Sequence, residues 1–98
     1  MLAICELQIA NLVKLSIDFE KGEASMGQIA RAKGMGSRLG REVVALARET
    51  CGGNGILLEN HVIKAFMDME AIHTYEGTYD INMLVSGREL TGGIAAFK

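Results

Sequence analysis

Not one proline occurs in the 98 residues of this chain, and that absence constrains the fold more than any motif does. Proline ends helices most sharply. Here only glycines and short polar clusters punctuate long stretches of three-to-four apolar periodicity. The spacing predicts a first helix from about Leu2 to Phe19, with Leu2, Cys5, Ile9, Leu12 and Leu15 or Ser16 on one stripe. Ile4, Leu7, Val13 and Ile17 widen that stripe, so this helix is expected to be covered on more than one side.

After a break at residues 21–24, Ser25 with Gln28 three residues on forms a capping box. It opens a second helix running to about Cys51, with Leu39, Val43, Leu46, Ala47 and Thr50 on one face. Gly27, Gly34, Gly36 and Gly40 each cost that helix roughly 1 kcal/mol relative to Ala. Close helix–helix approach at Gly36 and Gly40, one turn apart, is the expected compensation. Gly52-Gly53-Asn54-Gly55 ends the helix. A third helix is predicted over His61–Met69 with Val62, Phe66 and Met69 inward, then a loop over His73–Gly77. Thr78 caps a last helix from Tyr79 to about Leu90, with Asp80 in its first turn and Ile81, Leu84, Val85 and Arg88 on one face. No strand alternation and no internal repeat occurs. One all-α domain spanning residues 1–98, an antiparallel four-helix bundle, is the expected architecture.

Composition excludes several function classes. Ten Lys plus Arg against twelve Asp plus Glu, net −2, leave no basic surface for nucleic-acid phosphates. Two cysteines, Cys5 and Cys51, make no disulfide framework and no zinc spacing, and are expected as buried reduced thiols. The first residues lack a basic leader region, and Glu6 and Lys14 interrupt the apolar run, so neither a signal peptide nor a membrane span is expected. With 5% aromatics and six Met, the core should be aliphatic and filled by methionine. Met1 stands almost directly inside the first helix without a cap, as at the start of a cut chain.

Four constellations have spacings that suggest chemistry. Gly34-x-Gly36-x-x-Leu39-Gly40 fails as a dinucleotide fingerprint: no strand precedes it, and Leu39 stands where the third Gly belongs. Glu70-x-x-His73 has the spacing of carboxylate-bridged di-iron helices, but His61, preceded by Asn60 and Glu59, supplies no second copy. No metal site is therefore expected. Most runs like Gly52-Gly53-Asn54-Gly55 are only a helix stop, yet consecutive unhindered N–H groups also let a pyrophosphate approach, a reading that gains weight only from the segment that follows. About twenty residues on, Glu76 lies beside Gly77 in a loop just before a helix. It is either a carboxylate placed to act as a base, its pKa raised by desolvation, or a partner of the last helix's N-terminus.

Taken together, Cys51-Gly-Gly-Asn-Gly-Ile56, His61-Val-Ile-Lys64, Thr74-Tyr-Glu-Gly-Thr-Tyr-Asp-Ile81 and Gly87-Arg-Glu-Leu-Thr-Gly92 resemble the C-terminal end of acyl-CoA dehydrogenases. The resemblance is strongest to the glutaryl-CoA dehydrogenase branch and the related plant short-chain acyl-CoA oxidases. Its firm part runs from about Arg48 to Phe97, and the first half of the chain suits the two long helices that precede it in the family.

The resemblance implies a flavoenzyme that desaturates an acyl-CoA thioester between its α and β carbons. Glu76 would remove the α proton, Gly77 would lie against the substrate and Tyr75 would shape the acyl pocket. FAD would be touched by the backbone of Gly52 and Gly53, often across a subunit interface, and by Thr78 and Asp80. Glu49 stands where straight-chain members carry Gln; Asp80 agrees with the glutaryl branch. Implied partners are the acyl-CoA substrate, further copies in a dimer or tetramer, and electron-transfer flavoprotein, or O₂ in an oxidase. A non-catalytic oligomerisation module is the reading from another class. Family members are about four times this length, so the 98 residues alone are expected to be inactive. Bacterial cytoplasm or mitochondrial matrix is the expected compartment; Ala95-Ala-Phe-Lys98 is not a peroxisomal ending, though that organelle stays open.

Overall fold

A computed structural model of the chain describes residues 1–93. The last residues of the resemblance, through Phe97, and the 95–98 ending lie outside the described residues. Four α-helices are present: α1 (Leu2–Glu20), α2 (Met26–Thr50), α3 (Val62–Thr74) and α4 (Tyr79–Leu90), with short 3₁₀ turns at Gly52–Ile56 and Leu58–Asn60. No strand occurs among the described residues. The Ser25–Gln28 capping box forms as the sequence predicts, and the Thr78 side chain accepts from the Ile81 N–H at 3.4 Å. α3 runs five residues further than expected, through Thr74, so the predicted loop shrinks to Tyr75–Thr78. Glu70, Ala71 and Ile72 sustain the helix, and the Thr74 hydroxyl donates back to the Glu70 carbonyl at 2.7 Å.

Helix α2 is the spine. α1, α3 and α4 each pack on it, and the cross-helix pairs run antiparallel: Arg41–Glu70 and Lys33–His73 for α3, Gly27–Glu89 and Arg31–Ser86 for α4. α3 therefore covers the later half of α2 and α4 the earlier half. The 13 residues of α3 and the 12 of α4 together match the 25 of α2. They lie along it end to end, as one rod interrupted at residues 75–78.

Glycines permit this approach, though differently from the expectation. Gly36 faces Gln8 of α1 and Gly40 faces Met69 of α3, whereas the buried Gly27 and Gly34 face Glu89 and Met83 of α4. The α4 face against α2 is also not the apolar one. Asn82 and Ser86 are buried while Ile81 is 45% exposed, because α4 is held through hydrogen bonds to small and polar groups. Glu89 shows this best. Its carboxylate accepts from the Ser25 hydroxyl and the Gly27 N–H, both at 2.7 Å, at the positive end of α2.

Those two hydrogen bonds, the serine's first, hold the Glu89 carboxyl below its ordinary value of 4.5. A depressed folded-state pKa contributes stability that is present above the unfolded value and lost as pH falls through the folded one. Thermal unfolding should therefore lose midpoint below about pH 4.5, and Glu89→Gln should flatten that limb. An unchanged acid limb in the variant would remove this latch from the account.

The described chain is an open slab. Its radius of gyration is 15.9 Å and its extents are 49 × 29 × 17 Å, against about 13 Å for a compact chain of this length. Ala30 is the one enclosed hydrophobic residue among those described, so the expected aliphatic core is not closed by the described residues. α1 shows why. Ile4, Gln8 and Leu15 turn toward α2, while Leu2, Ile9, Val13 and Ile17 on the opposite side are 72%, 63%, 54% and 47% exposed. A helix apolar on both faces expects cover on both. Cys5 and Cys51, expected buried, are exposed for the same reason: none of the described residues covers their sides. No described helix is long and apolar enough to cross a membrane.

Candidate functional site

The break between α3 and α4 lies against the middle of α2 and carries Tyr75, Glu76, Gly77 and Thr78. Breaking a helix leaves carbonyls without intrahelical donors. Here they are met from neighbouring helices. The Lys33 ammonium donates to the Gly77 carbonyl at 2.8 Å and to the His73 carbonyl at 3.1 Å. The Asn82 amide donates to the Gly77 and Thr78 carbonyls at 2.8 and 3.1 Å. Gly77 has φ 88°, which favours glycine, and a Cβ there would stand 3.0 Å from the Asn82 amide nitrogen, so Asn82 would have to shift.

Glu76 has φ 55°. A non-glycine residue in this region carries roughly 1–2 kcal/mol of backbone strain. Its side chain is exposed and, among the described residues, makes no hydrogen bond or ion pair; the Glu76 N–H likewise takes no partner. The reading of Glu76 as a cap for α4 therefore has no contact behind it. Glu76 and Tyr75 sit at the edge of a largely apolar groove of about 500 Å³, with Gln8 and Leu12 on one wall, Met69 and Ile72 on the other and Gly36 and Gly40 as floor.

Across the break lies a second, polar groove of about 350 Å³ lined by Arg38, Arg41, His73, Thr74, Thr78 and Asp80. The Arg38 guanidinium stacks 4.8 Å from the Tyr79 ring centroid, and Arg41 Nε pairs with Glu70 at 2.7 Å. The Ser37 hydroxyl stands 3.2 Å from the Gly34 carbonyl oxygen and 2.8 Å from His73 Nδ1, a hydrogen bond that ties the end of α3 to α2. Burial first, then the charges of Arg41 and Lys33, hold the His73 pKa below its ordinary 6.5. Glu70 and His73 thus go to separate partners on α2.

Gly52 and Gly53 lie at the other end of α3, roughly 20 Å away along a 13-residue helix. Gly52 has φ 58°, and an added Cβ at either glycine would meet nothing within 4 Å. Their outer side is open to an approaching group. Gly55, two residues on, is different: its Cβ would stand 2.3 Å from the Arg48 carbonyl oxygen.

A family model described as the acyl-CoA dehydrogenase C-terminal domain matches residues 4–91. The chain belongs to the acyl-CoA dehydrogenase family. The match takes in α1 and the first half of α2, where the sequence motifs were weakest. Among solved structures, a glutaryl-CoA dehydrogenase from Mycobacterium smegmatis is similar, 30% identical with a TM-score of 0.86 over 92% of this chain. The chain spans 23% of that protein's length.

Members of this family use FAD, and the residues of this C-terminal domain fit an anionic dinucleotide. Arg38, the Glu70-paired Arg41 and the N-terminus of α4 offer donors to an anion beside Thr78, with Asp80 as the one carboxylate in the lining, and Gly53 leaves space that a side chain would fill. The sequence singled out Glu76, Gly77, Tyr75, Thr78 and Asp80, which the break holds together, and Gly52 and Gly53, which stand apart from them. It did not single out Lys33, Ser37, Asn82, Arg38 or Arg41. Lys33 and Ser37 sit one turn apart on the glycine-rich half of α2, a spacing that means nothing until α3 is laid against it.

Proposed function

We propose that this chain is the C-terminal part of an FAD-dependent acyl-CoA dehydrogenase that desaturates a glutaryl-CoA-like or short-chain acyl-CoA, with Glu76 as the base. The observation that carries this reading is the strained left-handed backbone of Glu76, held in a braced loop with its carboxylate uncommitted. Strain of this kind persists where the surrounding structure over-determines it, and it concentrates at working sites.

An α C–H beside a thioester is a weak acid, so its removal needs both a positioned base and a polarised carbonyl. Glu76 offers the carboxylate and, from its own backbone, an unpartnered N–H that can donate to the thioester oxygen. Tyr75 and Gly77 border the acyl group. FAD, when bound, supplies the acceptor for the β hydrogen. Thr78, Arg38 and Arg41 would hold its anionic part and Asp80 would accept from an uncharged N–H or O–H group of it; Gly52 and Gly53 would meet a different portion or a partner copy's flavin, given the length of α3 between them. The outward apolar stripe of α1 supports assembly into dimers or tetramers.

The test is single-turnover mixing of the flavin-loaded protein carrying this chain with glutaryl-CoA and with butyryl-CoA, followed by flavin absorbance. Bleaching by at least one thioester is expected. A flavin that no acyl-CoA reduces would overturn the reading, and a protein that takes up no FAD would favour a non-catalytic module.

A further inference from the structure

We infer that Lys33 is a positioning residue for Glu76. The inference rests on the reading of Glu76 as the base, but its geometry stands alone. Between the two carbonyls that Lys33 holds, those of His73 and Gly77, lie only three residues, and the last of them is Glu76. One ammonium therefore fixes both ends of the segment that carries the carboxylate.

Asn82 does not duplicate this. It belongs to α4, so it ties the loop to the helix that follows and moves with it. Lys33 alone among the described residues joins the loop to α2 and to the end of α3 at once. Its stem is half-buried beside Ser37, whose hydroxyl hydrogen-bonds His73 Nδ1 and keeps the last turn of α3 against α2. Remove the ammonium and the His73 carbonyl is orphaned, while Gly77 keeps only its bond to Asn82. The left-handed Glu76 backbone then loses the contact that opposes its relaxation. The carboxylate drifts from its productive place, whereas the flavin-facing residues and the groove lining other than Lys33 stay, and Met replaces the Lys33 stem with an apolar chain of similar length. Substrate affinity should therefore change little and the chemical step much.

The experiment compares Lys33→Met and Lys33→Arg in the flavin-loaded protein by two measurements: the rate of flavin reduction by acyl-CoA, and backbone amide exchange at the end of α3, where the Tyr75 N–H is bonded to the Ala71 carbonyl. Lys33→Met should reduce flavin about 10- to 100-fold more slowly with KM within about twofold, and should exchange the Tyr75 amide about tenfold faster with α2 and α4 unaltered. Lys33→Arg, which keeps a charged donor, should recover most of both. Unchanged exchange in Lys33→Met overturns the proposal whatever the activity does. Faster exchange with an unchanged reduction rate also overturns it, provided Glu76→Gln is inactive in the same assay. A fully active Glu76→Gln would mean that the Glu76 reading itself has failed; exchange then decides the brace alone. Should Lys33→Met not fold, Lys33→Gln, with a shorter single amide donor, is read by the same two measurements.

Discussion

Glu76→Gln is expected to slow acyl-CoA-dependent flavin reduction by roughly 10²- to 10⁴-fold, the usual contribution of a positioned general base, without changing flavin content or helicity. The amide is nearly isosteric with the carboxylate and keeps the same backbone, but it is not a base. Because the Glu76 side chain makes no hydrogen bond or ion pair with the described residues, nothing structural should depend on its charge. Glu76→Gly sharpens the point. Glycine relieves the left-handed strain, roughly 1–2 kcal/mol, and forfeits about 0.5–1 kcal/mol of unfolded-state entropy. Stability should hold or rise slightly while dehydrogenation disappears. A destabilisation above about 1 kcal/mol on thermal unfolding would show that the side chain supports the loop, and rapid turnover by Glu76→Gln would end its assignment as base.

Gly55→Ala should be the most destabilising single methyl in the chain. Its Cβ would be forced to 2.3 Å from the Arg48 carbonyl oxygen, and a backbone atom cannot swing away as a side-chain end can. Overpacking of this sort costs about 1–3 kcal/mol, and for a chain of this size each kcal/mol lowers the midpoint by roughly 4–8 °C. A fall of about 10 °C in the circular-dichroism melt is the expected result. Gly53→Ala is the control, with nothing within 4 Å of its added Cβ; it should stay within about 0.5 kcal/mol of the parent. Gly53→Val, equally tolerated by the fold, should lower flavin occupancy by filling the open side. Normal occupancy in that variant would remove the glycine pair from the flavin site, and an unchanged melt for Gly55→Ala would mean that the turn relaxes freely.

The two glycines also show where sequence reading stops. Both belong to one Gly-Gly-Asn-Gly run, and only the path of the chain back past Arg48 separates the packed one from the open one. The helix starts at Ser25 and Thr78 were legible because capping is local: the side chain and the N–H groups it serves lie within three residues. The end of α3 differs from the expected Met69 because the contacts that carry the helix to Thr74 come in part from Lys33, forty residues away. The polar face of α4 was misjudged for a similar reason. Ile81, Leu84 and Val85 look like a core stripe, yet the surface offered by α2 consists of glycines, Arg31 and the start of a helix, which select Asn82, Ser86 and Glu89.

By itself the sequence determined that the chain is all-helical, where three of its four helices begin and end to within a residue or two, and that it carries the acyl-CoA dehydrogenase signature with Glu76 at its centre. These follow from periodicity, capping and short motifs, all of which are properties of neighbouring residues. Only the tertiary structure decided that α3 and α4 lie end to end along α2, that the interruption between them puts Glu76 in a left-handed conformation, and that Lys33 braces the gap. Those features depend on which distant residues meet across a helix interface, and helix packing is set by the shape of both surfaces together.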